Sequence, residues 1–117
     1  MAGAVAIGGV FFRSKDPDAL SAWYTAHLGL TAGGMPWQQT AGPLVFAPFA
    51  ADTDYFPADR QFMLNFRVDD LTLLITQLRA ADIAVETRAE WDGTYGQFAR
   101  VHDPEGNPIE LWQAPAP

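Results

Sequence analysis

The sequence contains the same short pattern twice, 54 positions apart. In each half a Phe-Arg pair ends an apolar segment, an Asp stands three residues after the Arg, and a Leu follows four residues later. The matched positions are Phe12, Arg13, Asp16 and Leu20 in the first half and Phe66, Arg67, Asp70 and Leu74 in the second. Each half reads as a strand, an Asp-capped helix and several short strands. A repeat of this length predicts duplicated modules that share one core.

Two helices are predicted, over residues 17–28 and 70–81. Asp16 is a good N-cap, Pro17 is favoured at the first helical position, and Gly29 suits the end of the first helix. The second helix follows Asp70 in the same way and carries apolar residues at helical spacing on one face. The sequence therefore places one helix in each half.

The other elements are predicted as strands. Residues 5–13 and 62–68 are rich in Val, Ile, Phe and Leu, which favours strands. Residues 30–49 are broken by Gly and Pro and are expected to hold three short strands, the clearest at 44–47. Residues 50–60 are expected to form a polar connection, and residues 83–86 a short extended segment.

Residues 95–112 predict a hairpin. Asp103 opens a tight turn, Pro104 presets its backbone and Gly106 closes it. The far strand alternates between two faces, with Ile109 and Leu111 on one and Glu110 and Trp112 on the other. A carboxylate in the middle of a closing strand must either meet water or serve a site, so the role of Glu110 is the main functional question.

Composition limits the function. The chain has 117 residues, no Cys, a formal net charge of −7 and a single lysine, Lys15. Clustered positive charge is absent, which argues against binding of nucleic acid or anionic membranes. No apolar run approaches the roughly 20 residues that span a bilayer, and the first residues lack the basic leader of a signal peptide. We therefore expect a single cytoplasmic domain.

Three segments resemble the vicinal oxygen chelate superfamily, which includes glyoxalase I, extradiol dioxygenases and the bleomycin- and fosfomycin-resistance proteins. They are residues 8–30, 66–71 and 103–111. The resemblance implies an α+β fold in which two βαβββ modules form a curved mixed sheet around a cavity. It implies one domain over residues 4–114, with modules at about 4–50 and 61–114, and usually a homodimer.

The resemblance also implies where a metal would bind. The family centre takes two ligands from each module, drawn from His, Gln and Glu. Carried over by position, these places hold Gly9, a residue near Val45, Met63 and Glu110. Only Glu110 can coordinate a divalent cation, which needs several nitrogen or oxygen donors. We therefore expect no family metal centre and no other cofactor.

If Gly9 and Met63 occupy ligand positions, strand alternation predicts what else faces the cavity. The expected ligand-binding side chains are Phe11, Met63, Asn65, Phe98, Arg100, Glu110 and Trp112. Glu110 is expected to lie close to Met63 and Phe11, with Arg100 near enough to offset its charge. Apolar walls with a few polar groups are typical of a small-molecule site.

Several of these residues also have simpler interpretations. Arg13 and Arg67 are expected to pair with nearby Asp residues or with water. Glu110 is equally consistent with a relic of the metal site, neutralised by Arg100. The aromatic side chains are consistent with mere filling of the cavity. Residues 93–96 suit either a turn or a mobile lip over the site.

Three functions follow from these interpretations. The first is a metal-free protein of the bleomycin-resistance type that binds a small aromatic or amphipathic compound. The second is an enzyme, either a glyoxalase-like lyase or isomerase with Glu110 as general base, or a dioxygenase-type metalloenzyme with Glu110 as a residual ligand. The third is a dimeric module that acts through its surface and binds no ligand.

Overall fold

The computed structural model describes residues 2–117, in which two helices and a three-stranded sheet form. The helices are α1 (Pro17–Leu28) and α2 (Leu71–Ala80), and a single 3₁₀ turn covers Ala89–Trp91. The strands are β1 (Leu64–Arg67), β2 (Gln97–His102) and β3 (Pro108–Gln113). Within this described part of the chain, neither helix is long and apolar enough to cross a membrane.

The sheet is mixed, with the last strand of the chain in its centre. Strand β3 pairs in parallel with β1 and antiparallel with β2. Both register partners of Glu110 are polar, Asn65 on β1 and Arg100 on β2. The predicted small α+β fold with a mixed sheet is therefore confirmed, and the closing hairpin lies where the sequence places it.

The two helices begin as the sequence predicts. The Asp16 carboxylate accepts a hydrogen bond from the Ala19 amide at 3.1 Å, and Asp70 accepts one from Leu73 at 3.0 Å. These bonds satisfy amide groups that the first helical turn leaves free. Gly29 ends α1 with a φ of 77°, a left-handed conformation that glycine adopts at little cost.

One hydrophobic core forms between the helices and one face of the sheet. Every second residue of β2 and β3 points into it, while both helices contribute from above. Its buried members are Leu20 and Tyr24 of α1, Leu71 and Leu78 of α2, Ala99 and Val101 of β2, and Ile109 and Leu111 of β3. Phe66 of β1 packs against this cluster.

The first half of the chain departs from the predicted pattern. Residues 5–13 and 30–49 form no strand, and residues 83–86 make only one isolated bridge, from Glu86 to Arg100. The prediction of strands at 5–13 and 44–47 is therefore wrong for the single chain. The physical reason is that a strand needs a hydrogen-bonded neighbour, whereas Phe11 is 94% exposed and Phe46 80% exposed. The duplicated sheet expected from the repeat is not formed here.

Candidate functional site

The sheet face opposite the core carries the candidate site. Its residues come from alternate positions of all three strands, because successive side chains of a strand point to opposite faces. They are Asn65 and Arg67 of β1, Phe98, Arg100 and His102 of β2, and Glu110 and Trp112 of β3. The structure thus brings five of the seven expected ligand-binding residues onto one face.

Glu110 lies at the centre of this face and is 9% exposed. One carboxylate oxygen accepts a hydrogen bond from the Asn65 amide at 2.8 Å, and the other accepts one from the Tyr55 hydroxyl. A buried carboxylate is stable only when such donors replace water. Glu110 is therefore neither in open solvent nor without partners.

Tyr55 reaches the site from the connection between the two halves. Its partial burial, followed by its hydrogen bond to Glu110, raises the pKa of the hydroxyl to about 12. Because this pKa is higher than the ordinary value of 10.0, the hydroxyl remains a donor even at a pH where a free tyrosine side chain is half ionised. Its contribution to stability is present below about pH 10 and is lost as the pH rises towards about 12.

Arg100 stands beside Glu110 in the register but does not pair with it. Its Nη2 donates to the Tyr55 carbonyl at 2.9 Å, and its guanidinium carbon lies 4.9 Å from the centre of the Tyr55 ring. The Trp91 ring lies 5.6 Å away. Across residues 2–117, no carboxylate oxygen comes within 4.0 Å of Arg100. Arg100 is thus the neighbour of Glu110 in the sheet, but its guanidinium contacts two aromatic rings instead of the carboxylate.

Two aromatic side chains form the end of the face nearest the carboxyl end of β3. The rings of Phe98 and Trp112 are parallel within 3°, and their centres are 6.2 Å apart. The Trp112 indole donates to the Tyr95 carbonyl at 2.6 Å, which holds the ring in place. Next to them on β1, Arg67 donates to the Thr40 carbonyl at 2.7 Å rather than pairing with Asp70.

The other two expected residues are not drawn into this arrangement. Met63 is half-buried directly before β1. Phe11 is almost fully exposed, so the expected contact between Phe11 and Glu110 is wrong for the single chain. Phe11 depends on a strand at residues 5–13 to place it, and that strand lacks a neighbour here. Residues 93–96 close as a turn through two backbone hydrogen bonds between Gly93 and Gly96.

The hairpin turn next to the site is held by Asp103, which is 4% exposed. Its carboxylate accepts four hydrogen bonds: from the Tyr24 hydroxyl at 2.7 Å, from the amides of Glu105 and Asn107 at 2.9 and 3.0 Å, and from the Asn107 side chain at 2.8 Å. Burial and the bond to Asp103 raise the pKa of Tyr24 strongly. Asp103 therefore fixes the turn and ties it to α1.

A second group on the same turn anchors the segment before α1. The Glu105 carboxylate accepts from the Ser14 hydroxyl at 2.7 Å and from the Lys15 amide at 2.9 Å, which lowers its pKa. Arg60 donates to the Glu105 carbonyl at 2.8 Å. The turn thus connects three segments that lie far apart in the sequence.

Sequence reasoning missed Tyr55 and Trp91. The sequence predicts only a polar connection at residues 50–60, yet Tyr55 and Phe56 are half-buried there. The Phe49 and Tyr55 rings also lie 5.7 Å apart. The clustering of three aromatic residues within 49–56 was the available signal, but it has neither helical nor strand periodicity.

Comparison with known proteins agrees with this fold. The sequence profile of the glyoxalase-like domain matches residues 9–112. The chain belongs to this family. Among solved structures, this glyoxalase-like domain resembles TnmS3, an antibiotic binding protein from Streptomyces sp. CB03234, at 26% identity with a TM-score of 0.55. The match covers 96% of this chain and all of that one. No curated protein matches the sequence significantly.

The residues of this glyoxalase-like domain do not fit the family metal centre. Within residues 2–117, no three His, Cys, Asp or Glu side chains are grouped so that they could hold a metal ion. Glu110 has Asn65, Tyr55 and Arg100 as its polar neighbours, and a guanidinium is repelled by a cation. The side chains around Glu110 therefore do not provide the donor set of a divalent metal ion.

Proposed function

We propose that this glyoxalase-like domain is a small-molecule-binding protein of the bleomycin-resistance type that works without a metal centre. Its ligand is small and aromatic or amphipathic. The proposal rests mainly on one observation. Polar and aromatic side chains surround the buried carboxylate of Glu110 on the sheet face opposite the core. The description of TnmS3 as antibiotic-binding points in the same direction.

The contacts of Glu110 favour binding over general-base catalysis. Each of its carboxylate oxygens already accepts a hydrogen bond, one from Tyr55 and one from Asn65. Both oxygens thus already face donors of the protein itself. A general base must come within hydrogen-bond reach of the substrate proton, so a lyase or isomerase mechanism with Glu110 as base requires the substrate to approach beside Tyr55 and Asn65.

Thermal shifts test the binding proposal. Purified protein is heated with aromatic compounds, with glutathione conjugates, or with Zn²⁺, Ni²⁺ or Mn²⁺ alone. We expect stabilisation by aromatic compounds, because a ligand at 100 times its Kd adds about 2.7 kcal/mol to the free energy of unfolding. No stabilisation is expected from the metals. Stabilisation by a metal that is lost in Glu110→Ala, without any from the compounds, would contradict the proposal.

Glu110→Gln provides a sharper test of the site. The variant keeps the shape of the side chain but loses its charge, so it should bind naphthylmethylamine about tenfold more weakly, as expected for loss of a charged hydrogen bond. Binding of methylnaphthalene should not change. Calorimetry measures both affinities, and Glu90→Gln, an exposed position, serves as the matched control. Equal affinities of wild type and variant for the amine would show that Glu110 does not contribute to ligand binding, as expected for a relic of the metal site.

We further propose that residues 4–114 form one domain of two βαβββ modules, 4–50 and 61–114, in a homodimer, where the partner chain supplies the neighbour that residues 5–13 and 44–47 lack in the single chain. The sequence repeat supports two modules, and exposed apolar side chains in the first module support a partner chain. These side chains are Val5, Ile7, Val10, Phe11, Phe12, Met35, Trp37, Leu44, Val45, Phe46 and Phe49. A cytoplasmic location remains a prediction from the composition.

The exposed surface of the single chain supports the homodimer. The accessible area is 8839 Å², against about 6,300 Å² for a typical folded monomer of this mass. The radius of gyration is 14.9 Å, against about 13 Å for a compact chain of this length. The excess area, about 2,500 Å², exceeds the roughly 800 Å² that each partner buries in a stable complex. A second copy is the partner that accounts for it most simply.

A further inference from the structure

Arg100 is a buried cation without an acidic partner. Its side chain lies in the middle of β2 and only 6% of the residue is exposed. In the part of the chain that the structure describes, no carboxylate oxygen lies within 4.0 Å of it, and its Nε has no hydrogen-bond partner. A buried charge is unfavourable unless an opposite charge and hydrogen bonds compensate it.

The neighbours of Arg100 compensate this charge only in part. The rings of Tyr55 and Trp91 lie 4.9 and 5.6 Å from the guanidinium carbon, within reach of cation–π attraction. The Tyr55 carbonyl accepts one N–H group. Aromatic faces and a carbonyl stabilise a cation without neutralising it, so the guanidinium can still bind an anion.

Arg100 lines an open cleft of about 540 Å³, a size typical of small-molecule sites. The other walls are residues 52–58, Arg88 and His102. Arg88 is already paired with Glu86 at 2.7 Å. The cleft also contains two carboxylates, Asp52 and Asp54, but both are exposed, so water screens them. Of the two arginines that line the cleft, Arg100 is thus the one without a carboxylate partner, and it can bind an anionic ligand.

We propose that this cleft binds aromatic carboxylic acids, with the carboxylate on Arg100 and the ring against Tyr55 and Phe56. The inference rests on the proposed small-molecule-binding function and adds aromatic acids, bound at Arg100, to the ligand classes expected at Glu110. The planar guanidinium presents parallel N–H groups that match a carboxylate. Because Nε is sealed from water and Nη2 already donates to the Tyr55 carbonyl, an acid that binds through Nε must open the packing around the guanidinium.

The test compares naphthoate with its uncharged amide, naphthamide, by calorimetry on the whole chain. Wild type should bind naphthoate at least about tenfold more tightly, as expected for a charge-assisted hydrogen bond. Arg100→Gln should remove this preference and leave the affinity for naphthamide unchanged. Arg100→Lys should keep part of it, because a lysine retains the charge but not the planar geometry. Arg79→Gln, at an exposed arginine of α2, is the matched control and should behave as wild type.

The outcomes distinguish failure of the aromatic-acid inference from failure of the small-molecule-binding function. Equal binding of naphthoate and naphthamide by wild type would overturn the aromatic-acid inference while leaving the small-molecule-binding function intact. An unchanged preference in Arg100→Gln would overturn it also. Because the wild-type comparison needs no variant, it stands even if Arg100→Gln does not fold, which circular dichroism checks. Failure of both probes, with other aromatic compounds bound, would again count against the inference alone.

Discussion

Asp103→Ala is expected to lower the free energy of unfolding by about 4 kcal/mol. Asp103 is 4% exposed and its carboxylate accepts four hydrogen bonds. Its removal leaves the Tyr24 hydroxyl and the Asn107 side chain without their buried acceptor, at a cost of 1–3 kcal/mol for each such group. At about 4 °C per kcal/mol for a chain of this size, Tm should fall by about 15 °C.

Asp59→Ala is the matched control for this measurement. Asp59 has an 80% exposed side chain and lies 4.0 Å from Arg60, so its removal should change the free energy of unfolding by less than about 0.5 kcal/mol. Urea unfolding followed by circular dichroism measures both variants. A change in Asp103→Ala as small as that of the control would show that the hairpin turn does not depend on this carboxylate.

The second large effect concerns assembly. Wild type should sediment at micromolar concentration with twice the 12.8 kDa mass of the chain. The double variant Val45→Asp, Phe46→Asp should sediment largely as single chains. These two side chains are 73% and 80% exposed, and in the strand proposed for this segment of the dimer neighbouring positions would point to opposite sides. One of the new carboxylates would therefore be buried in the apolar contact, which costs several kcal/mol, and each 1.4 kcal/mol is a tenfold loss of affinity.

Leu73→Asp controls for the added charge. Leu73 is 52% exposed on the helix α2, and a single exposed leucine of that kind needs no partner to cover it. This variant should remain a dimer. A wild type that sediments only at 12.8 kDa, or a double variant that assembles like wild type, would contradict the homodimer.

The elements that the sequence predicted correctly are those with local causes. Helix α1 begins with a carboxylate cap followed by proline, and it ends at a glycine. The hairpin forms around a turn whose residues set its backbone angles. Such signals act within a few residues, so they do not depend on how the rest of the chain packs.

The face of each strand residue was also predictable. Ile109 and Leu111 enter the core, and Glu110 lies on the other face, as alternation requires. Partners across long distances were not predictable in this way. Tyr55 reaches Glu110 from 55 positions away, and Arg100 turns towards aromatic rings rather than towards Glu110. No periodicity in the sequence indicates either contact.

By itself, then, the sequence determined the two helices, the hairpin and the faces of its strands, because capping, turn chemistry and side-chain alternation are local. The tertiary structure decided which segments become strands and which side chains meet at the site. Residues 5–13 have strand-like composition but no strand, since β pairing depends on a neighbour that composition cannot supply. The surroundings of Glu110 and Arg100 likewise depend on where the 50–60 connection comes to lie, which is settled by packing rather than by local preference.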